Sequence, residues 1–424
     1  MFTKELSSSL PNRGRHSLIR MSECPRRPHY SSGMDRPAAA RIPSAVWALG
    51  FVSLLMDVSS EMIHALLPVF LVGTLGASAW LLGLIEGLGE ATALVVKMFS
   101  GALSDYLGRR KPLAVFGYGL GALSKPLFAL ASGPGLVLVA RVLDRIGKGL
   151  RGAPRDALVA DLTPPALRGA AFGLRQSLDT VGAFSGPLLA IALMLLWDNQ
   201  LRAVFAVAIV PGLLAVLLLQ LAVREPPRRE PAPRHNPLAR AQLRRLPPAF
   251  WWVVAIGVTL TLARFSEAFL ILRLSDGGLG LAYAPLVLVA MNAVYALSAY
   301  PFGWLSDRLA HGRLLALGVL LLIAADLLLA AAGAGALAWA GVACWGLHLG
   351  MTQGLLARMV ADCAPVQLRG TAFGFFNLCS GLAMLPASLI AGLLWDRYGA
   401  TQTFVAGALF CTLSLGLLLL RRRA

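Results

Sequence analysis

Apolar windows of about twenty residues recur along nearly the whole chain, separated by short polar or glycine-proline turns. A helix needs about 20 apolar residues to cross a bilayer, so each window is long enough to span. The first half predicts spans over Ser44–Leu75, Trp80–Leu103 and Pro112–Ala131, then a fourth that follows Pro134-Gly135 and ends about Ala153. A polar connection over Pro154–Leu167 leads to span 5 at Arg168–Leu196, and a sixth span ends near Val223. Six more follow over about 249–274, 282–305, 312–332, 335–358, 370–395 and 400–420. The pattern therefore predicts an all-α integral membrane protein of twelve spans in two six-helix bundles, 44–222 and 249–424. Residues 1–43, rich in Ser, Pro and Arg, read as a disordered basic cytoplasmic tail without the apolar core of a secretory signal. Residues 223–248, proline-rich and basic, read as a cytoplasmic linker.

Composition agrees with this reading. The 424 residues are 57% hydrophobic and 14% charged, with a mean hydropathy of +0.70. Soluble domains carry about 25% charged residues. A formal charge of +17 on its own would point to nucleic acid, but its location excludes that. The positive charge lies in the tail, the linker, the short loops expected to face the cytoplasm and Arg421-Arg422-Arg423. The loops expected outside, over 74–79, 131–135, 276–281 and 332–335, carry almost no Lys or Arg. This asymmetry is the positive-inside bias, and it puts both termini in the cytoplasm. Cys24, Cys344, Cys363, Cys379 and Cys411 show no CxxC spacing, so neither a disulfide framework nor a zinc site is expected.

The two halves repeat one another. Val159–Gly173 recurs as Val360–Gly374, and Gly101-x-Leu-Ser-Asp105 recurs as Gly303-x-Leu-Ser-Asp307. Trp197-Asp198 returns as Trp395-Asp396, and Ser60-Glu61 as Ser266-Glu267. Four matches in one order at nearly constant offset mark an internal duplication.

The spans also carry ionisable side chains, each costing about 2.5–3.5 kcal/mol at mid-membrane unless it finds a partner or a wet cavity. Helical spacing puts Asp57, Glu61 and His64 on one stripe of span 1, and Glu86 and Glu90 on one face of span 2 with Lys97 nearly on it. Span 4 carries Arg141, Asp144, Arg145 and Lys148 on one stripe, continued by Arg151 and Arg155. Arg175 and Asp179 in span 5, and Arg264 and Glu267 in span 7, are one turn apart, the spacing of a local ion pair. Asp326, Asn292, Tyr295 and His348 are sparser features of the second half. Static ion pairing and a proton relay with a solute-binding lining both fit these patterns. Two acids and an imidazole on one stripe cannot fully satisfy each other, which favours function for the span 1 trio. A carboxyl that can be neutral or charged near pH 7 is what proton coupling needs. Divalent metal is another reading of Asp57, Glu61 and His64, although no Cys or second His lies nearby in the sequence.

The stretch between spans 2 and 3 reads G-x-L-x-D-x-x-G-R-R-K, with Gly101, Asp105, Gly108, Arg109 and Arg110 in its fixed positions. It resembles motif A of the major facilitator superfamily. Arg145 followed by small residues is similar to that family's motif B, with Arg141 as a rival for the role. Gly173, Gly182, Gly186 and Pro187 in span 5 are similar to motif C of its antiporters, with Ala190 where the last Gly is usual. The resemblance covers residue 44 to the end and implies two parallel six-helix repeats with a solute site between them. It implies a gating role for motif A, with Asp105 receiving a helix start or an Arg of the facing half, and Arg109 and Arg110 pairing with acids such as Asp161. In the second copy Gly303 and Asp307 persist, but Ala310 and His311 replace Gly108 and Arg109, which implies a weaker lock.

The expected activity is efflux of a small solute by proton antiport across the cytoplasmic membrane, by a monomer with no cofactor, no resident metal and no enzymatic chemistry. No Walker loop, HExxH or GxSxG occurs. The alternatives are a proton-coupled importer of an anionic metabolite, favoured by Lys125 and Lys148, a divalent metal exporter, and a non-transporting receptor.

Overall fold

A computed structural model describes residues 42–224, 243–306, 308–332, 335–365 and 368–421. Most of the expected tail and linker, Asp307 and the side chain of Asp105 lie outside the described residues. Within them every regular element is helical. The first half holds α1 (Ser44–His64), α2 (Leu67–Val69), α3 (Ala79–Leu107), α4 (Lys111–Ala129), α5 (Pro134–Leu162), α6 (Arg168–Leu196), α7 (Leu201–Val207) and α8 (Ile209–Ala222). The second holds α9 (Pro248–Ala263), α10 (Ala268–Asp276), α11 (Leu286–Ser306), α12 (His311–Ala331), α13 (Ala336–Cys363), α14 (Arg369–Tyr398) and α15 (Ala400–Arg421).

Among the described residues, nine helical stretches are long and apolar enough to cross a membrane, some of them joining two of these helices end to end. Three further long helices, α4, α5 and α13, fall outside that group. Their apolar character is diluted by Lys111 and Lys125, by the charged stripe of α5, and by His348, Gln353 and Arg358. Burial confirms the membrane setting, because the polarity is the reverse of a soluble protein. Glu86, Lys125, Arg141 and Asp144 are buried, while Leu130, Leu221 and Leu297 are at least 73% exposed.

Both first spans of the halves are broken. Pro68 has no N–H for the carbonyl of His64, so α1 stops there and restarts as α2 and a wider turn over Phe70–Thr74. The second break runs from Arg264, whose φ of −97° and ψ of 69° leave the helix, to Glu267. Its freed N–H groups are taken up locally: Ser266 donates to the Ser388 hydroxyl at 3.2 Å, and Ala268 donates to that of Ser266 at 3.3 Å. Discontinuous helices of this kind supply polar backbone and side chains to a membrane interior.

Two expectations need correction. The polar connection over Pro154–Leu167 is mostly helix: α5 continues to Leu162 with Pro154 buried inside it. A proline interrupts only one backbone hydrogen bond, and the charged residues after it find partners across the bundle. Likewise α3 runs through the motif to Leu107, so the turn is confined to Gly108–Arg110. Gly108 has φ +61° and ends α3 in the left-handed conformation that glycine adopts without cost. Its counterpart Ala310 has φ −59°, so the second copy turns differently. Gly108→Ala is expected to cost about 1–2 kcal/mol, read as a lowered melting temperature of the purified protein.

In the first half α1 packs on α6 and α8, α5 on α3 and α4, and α4 on α7 and α8. In the second, α13 packs on α11 and α12, α12 on α15, and α9 on α14 and α15. The two sets meet through α3 with α14, α6 with α11, and α2 with α10. Those contacts wall the space described next.

Candidate functional site

The site is built on α1, α3 and α5, whose polar stripes turn towards one another. His64 sits at the end of α1 with a carboxylate on each ring nitrogen: Glu61 Oε2 is 3.3 Å from Nδ1 and Glu86 Oε2 is 3.5 Å from Nε2. The same Glu86 oxygen accepts from Arg141 Nη2 at 2.6 Å and from the Ser266 hydroxyl at 3.4 Å. One turn along α3, Glu90 pairs with Arg145 at 3.0 Å. Arg145 also approaches Asp144 at 3.8 Å. The chain Glu61, His64, Glu86 and Arg141 thus joins three helices of the first half to the break in the second. Glu86 and Arg141 are almost fully buried, and buried charge is tolerable only when paired.

Asp144 belongs to a separate arrangement between α4 and α5. It accepts from Lys125 Nζ at 2.7 Å, and Lys125 also donates to Ser60 at 3.0 Å. A third cluster lies further along α5 and α6. Arg175 pairs with Asp179 and donates to Gln176 at 2.7 Å. Arg155 reaches Asp156 at 3.1 Å, Ser53 at 3.0 Å and Asp179 at 3.8 Å. Arg151 lies over the Tyr118 ring, 5.0 Å from its centre.

Two adjoining cavities open among these groups. The larger, about 800 Å³, is lined by Asp57, Glu61, Glu90, Lys97, Lys148 and Asp179 of the first half and by Asn292 and Tyr295 of α11. The deeper one, about 310 Å³, reaches His64, Glu86, Arg264, Glu267 and Trp345. Asp57 faces the larger cavity without an ion pair or hydrogen bond among the described residues.

The local pair that the spacing of Arg264 and Glu267 allowed, as one of two readings, does not form among the described residues. The three-residue spacing aligns side chains only on a continuous helix, and the break falls between these two. Arg264 Nη1 is buried without a hydrogen-bond partner, and both residues line the deeper cavity instead. Lys97 likewise forms no static bridge among the described residues and lines the larger cavity. Nor do Asp57, Glu61 and His64 converge on a metal position. Among the described residues no group of three or more His, Cys, Asp and Glu is arranged to hold one.

The small residues of α6 have a definite purpose here. A Cβ on Gly186 would lie 2.9 Å from both Glu61 Cβ and the Val58 carbonyl, and one on Gly182 would lie 3.0 Å from Asp57 Cβ. These glycines let α6 press against α1 directly behind its two acids. Gly173 has nothing within 4 Å and takes no part in that contact. Pro187 is buried inside α6.

At the turn after α3, Arg110 donates to Asp161 at 2.8 Å and to Ser104 at 3.2 Å, the pairing expected across that face. Gly101 packs towards Ala153, where an added Cβ would lie 3.5 Å from the Ala153 Cβ, while Gly303 has nothing within 4 Å. The opposite end of α3 is fastened by a residue that sequence reasoning passed over. Asp396, at the end of α14, accepts from the backbone N–H of Ala79 at 2.9 Å and of Trp80 at 2.8 Å. A carboxylate on a helix N-terminus is favoured by both hydrogen bonding and the helix dipole. The repeated Trp-Asp pair was the available signal. Neither cavity reaches past Glu86 towards this end, whereas Lys97 and Arg155 line the larger one towards the other. Asp396→Ala is expected to lower stability by about 1 kcal/mol and to speed alkylation of a cysteine placed at Ala79; unchanged labelling would remove the fastening role.

Comparison with known proteins places this geometry in a family. A model of the Major Facilitator Superfamily matches residues 49–388. An MFS-type transporter of Methanocaldococcus jannaschii is 31% identical over 382 residues, covering 88% of this chain and 94% of the relative. The multidrug resistance protein MdtH of Photorhabdus laumondii is 34% identical over 150 residues, covering 35% of this chain and 37% of MdtH. Among solved structures, a nucleoside transporter superposes with a TM-score of 0.77 at 12% identity, covering 88% of this chain and 99% of that one. A bacterial homolog of the human lysosomal transporter Spinster, inward-facing and occupied, gives 0.73 at 18% identity over 89% and 96%. At these identities the structures establish the fold. The matched family model, the relative of nearly full length and the helical arrangement agree: this chain belongs to the major facilitator superfamily of multi-pass membrane transporters.

Proposed function

We propose that the protein exports a small solute across the cytoplasmic membrane in exchange for protons, by alternating access between two six-helix bundles. The observation that carries this reading is the buried link Glu61, His64, Glu86 and Arg141 on the wall of a cavity. Its carboxylates and imidazole can each hold a proton, and an arginine that stays charged favours their ionised form until a proton or solute disturbs the contact. Asp57, exposed to the larger cavity and unpaired, is a second entry point for a proton. The link ends at Ser266, in the break of the second half, so a change in its charge is felt across the interface that must move.

Export is supported by the glycine contact of α6 behind Asp57 and Glu61, the part of the resemblance that belongs to antiporters, and by the likeness to a multidrug resistance protein over about a third of the chain. In this reading the chain has twelve spans with both termini cytoplasmic, and α4, α5 and α13 are the spans whose interior charge or polarity hides them. The bundles are 44–222 and 249–424, joined by the linker 223–248 and preceded by the tail 1–43. The gating role in this reading falls to Asp105, Arg109 and Arg110 with Gly101 and Gly108, and to Gly303 with Asp307.

Purified protein in proteoliposomes tests it. Solute movement is expected to follow an imposed pH gradient. Asp57→Asn with Glu61→Gln is expected to reduce gradient-driven movement at least about tenfold, the range of general acid–base groups, while leaving exchange at equal pH. Gradient response retained after substitution of Asp57, Glu61, Glu86 and Glu90 together would defeat the proton reading. Movement only into right-side-out vesicles would reverse the direction.

A further inference from the structure

The cations around the larger cavity are not equivalent. Arg145, on the adjoining cavity, is occupied by Glu90, Arg155 is occupied by Asp156 and Asp179, and Arg151 lies over the Tyr118 ring with its Nη1 buried and unpaired. Lys97 and Lys148 are different. Both line the cavity, both are exposed to it, and neither makes an ion pair or hydrogen bond among the described residues. Asp57, Glu61 and Glu90 influence Lys148 only from beyond ion-pair distance, as Asp156 does Lys97.

The two lysines also share one wall. The Lys97 stem crosses the face of α5 at Gly152, where an added Cβ would meet its Cε at 3.7 Å and its Cδ at 3.8 Å. Gly152 is one helical turn beyond Lys148, so the missing side chain leaves room for the Lys97 stem on the stretch of α5 that carries Lys148. The same lining carries Asp57, Glu61, Glu90 and Asp179, but none of these comes within ion-pair distance of either lysine. Both ammonium groups therefore remain open to an arriving anion that offsets the cost of their charge at membrane depth. The rest of the lining says what else that anion carries. Leu94, Ala183, Phe184 and Ala296 give an apolar surface, and Asn292 and Tyr295 face the lysines from α11 with neutral polar groups.

Resting on the transporter reading above, we propose that the solute is an organic anion, a carboxylate or phosphate head on an apolar body, with the head held between Lys97 and Lys148. The paired arginines of α5 maintain the site, and these two lysines recognise the cargo.

Binding of fluorescein, 1-naphthyl phosphate and the cation ethidium to purified protein tests this, read by thermal shift and fluorescence. The two anions are expected to bind and ethidium not. Lys97→Gln and Lys148→Gln are each expected to weaken anion binding about tenfold, the loss of one ion pair of moderate strength, and the double variant to abolish it. Lys148→Arg is expected to stay within about threefold, because the charge is kept. Melting temperatures of the ligand-free variants guard against misfolding; all should match the parent. Unchanged anion binding by the double variant, no binding of either anion, or preferential binding of ethidium would overturn the proposal. Displacement of fluorescein by dioleoylphosphatidylglycerol but not by 1-naphthyl phosphate would also overturn it, since the occupant would then be a lipid headgroup. Everted vesicles separate it from the proton reading. Fluorescein carried regardless of the pH gradient keeps the solute class and ends proton coupling. Ethidium driven by the gradient in the double variant keeps proton coupling and ends the anion assignment.

Discussion

The Arg141→Met protein is expected to lose about 3–5 kcal/mol of stability, the cost of stranding a buried charge. Arg141 is 2% exposed and its Nη2 stands 2.6 Å from Glu86 Oε2, while Glu86 itself is fully buried. Methionine keeps much of the volume, so packing loss is small and the stranded carboxylate dominates. Among the described residues the other partners of that oxygen are His64 at 3.5 Å and Ser266 at 3.4 Å, and neither supplies a permanent charge. Oε1 of Glu86 already lacks a partner, so the carboxylate has no reserve. The double variant Glu86→Gln with Arg141→Met removes both charges and is expected to recover most of the loss, since neutral replacements of a buried pair are often near neutral. Melting of the purified single and double variants in one detergent checks this. A single variant within about 0.5 kcal/mol of the parent, the scatter of an innocuous surface change, would show that the pair is not buried as described.

Gly186→Val is expected to reduce gradient-driven solute movement at least about tenfold, at a stability cost of about 1–3 kcal/mol typical of overpacking. The first added carbon already meets Glu61 Cβ and the Val58 carbonyl at 2.9 Å, and a backbone carbonyl inside a helix cannot swing aside. The whole of α1 must then shift from α6, carrying Glu61 and His64 away from Glu86. Gly173→Ala is the matched control, because its Cβ would have nothing within 4 Å. It should leave both stability and transport unchanged. Equal loss in the two variants would mean that the glycines act through helix flexibility rather than through the contact with α1.

Several parts of this molecule were legible in the chain itself. Apolar windows announce spans because the bilayer interior rewards only long unbroken runs. The stripe Asp57, Glu61 and His64 follows from helical spacing, as does the local pair Arg175 with Asp179. Arg110 with Asp161 could be anticipated because both lie on the loops of one side.

Spacing failed where a helix did not continue or continued too long. Arg264 and Glu267 part because the chain leaves the helix between them, and Asp156 enters the Arg155 and Arg175 cluster because α5 passes through Pro154. It was also silent on partners from other helices. Nothing along the chain says that His64 meets Glu86, that Lys125 takes Asp144, or that Asp396 holds the start of α3.

The linear pattern of apolar and charged residues therefore settled the class of protein and which charges share a helix face, because both depend on short-range periodicity. Which faces meet depends on how far each helix is rotated and how closely glycines let it approach. That choice of neighbours gives Arg141, Arg145, Arg155 and Arg175 their carboxylates and leaves Lys97 and Lys148 for the cavity, and it was made only when the helices packed.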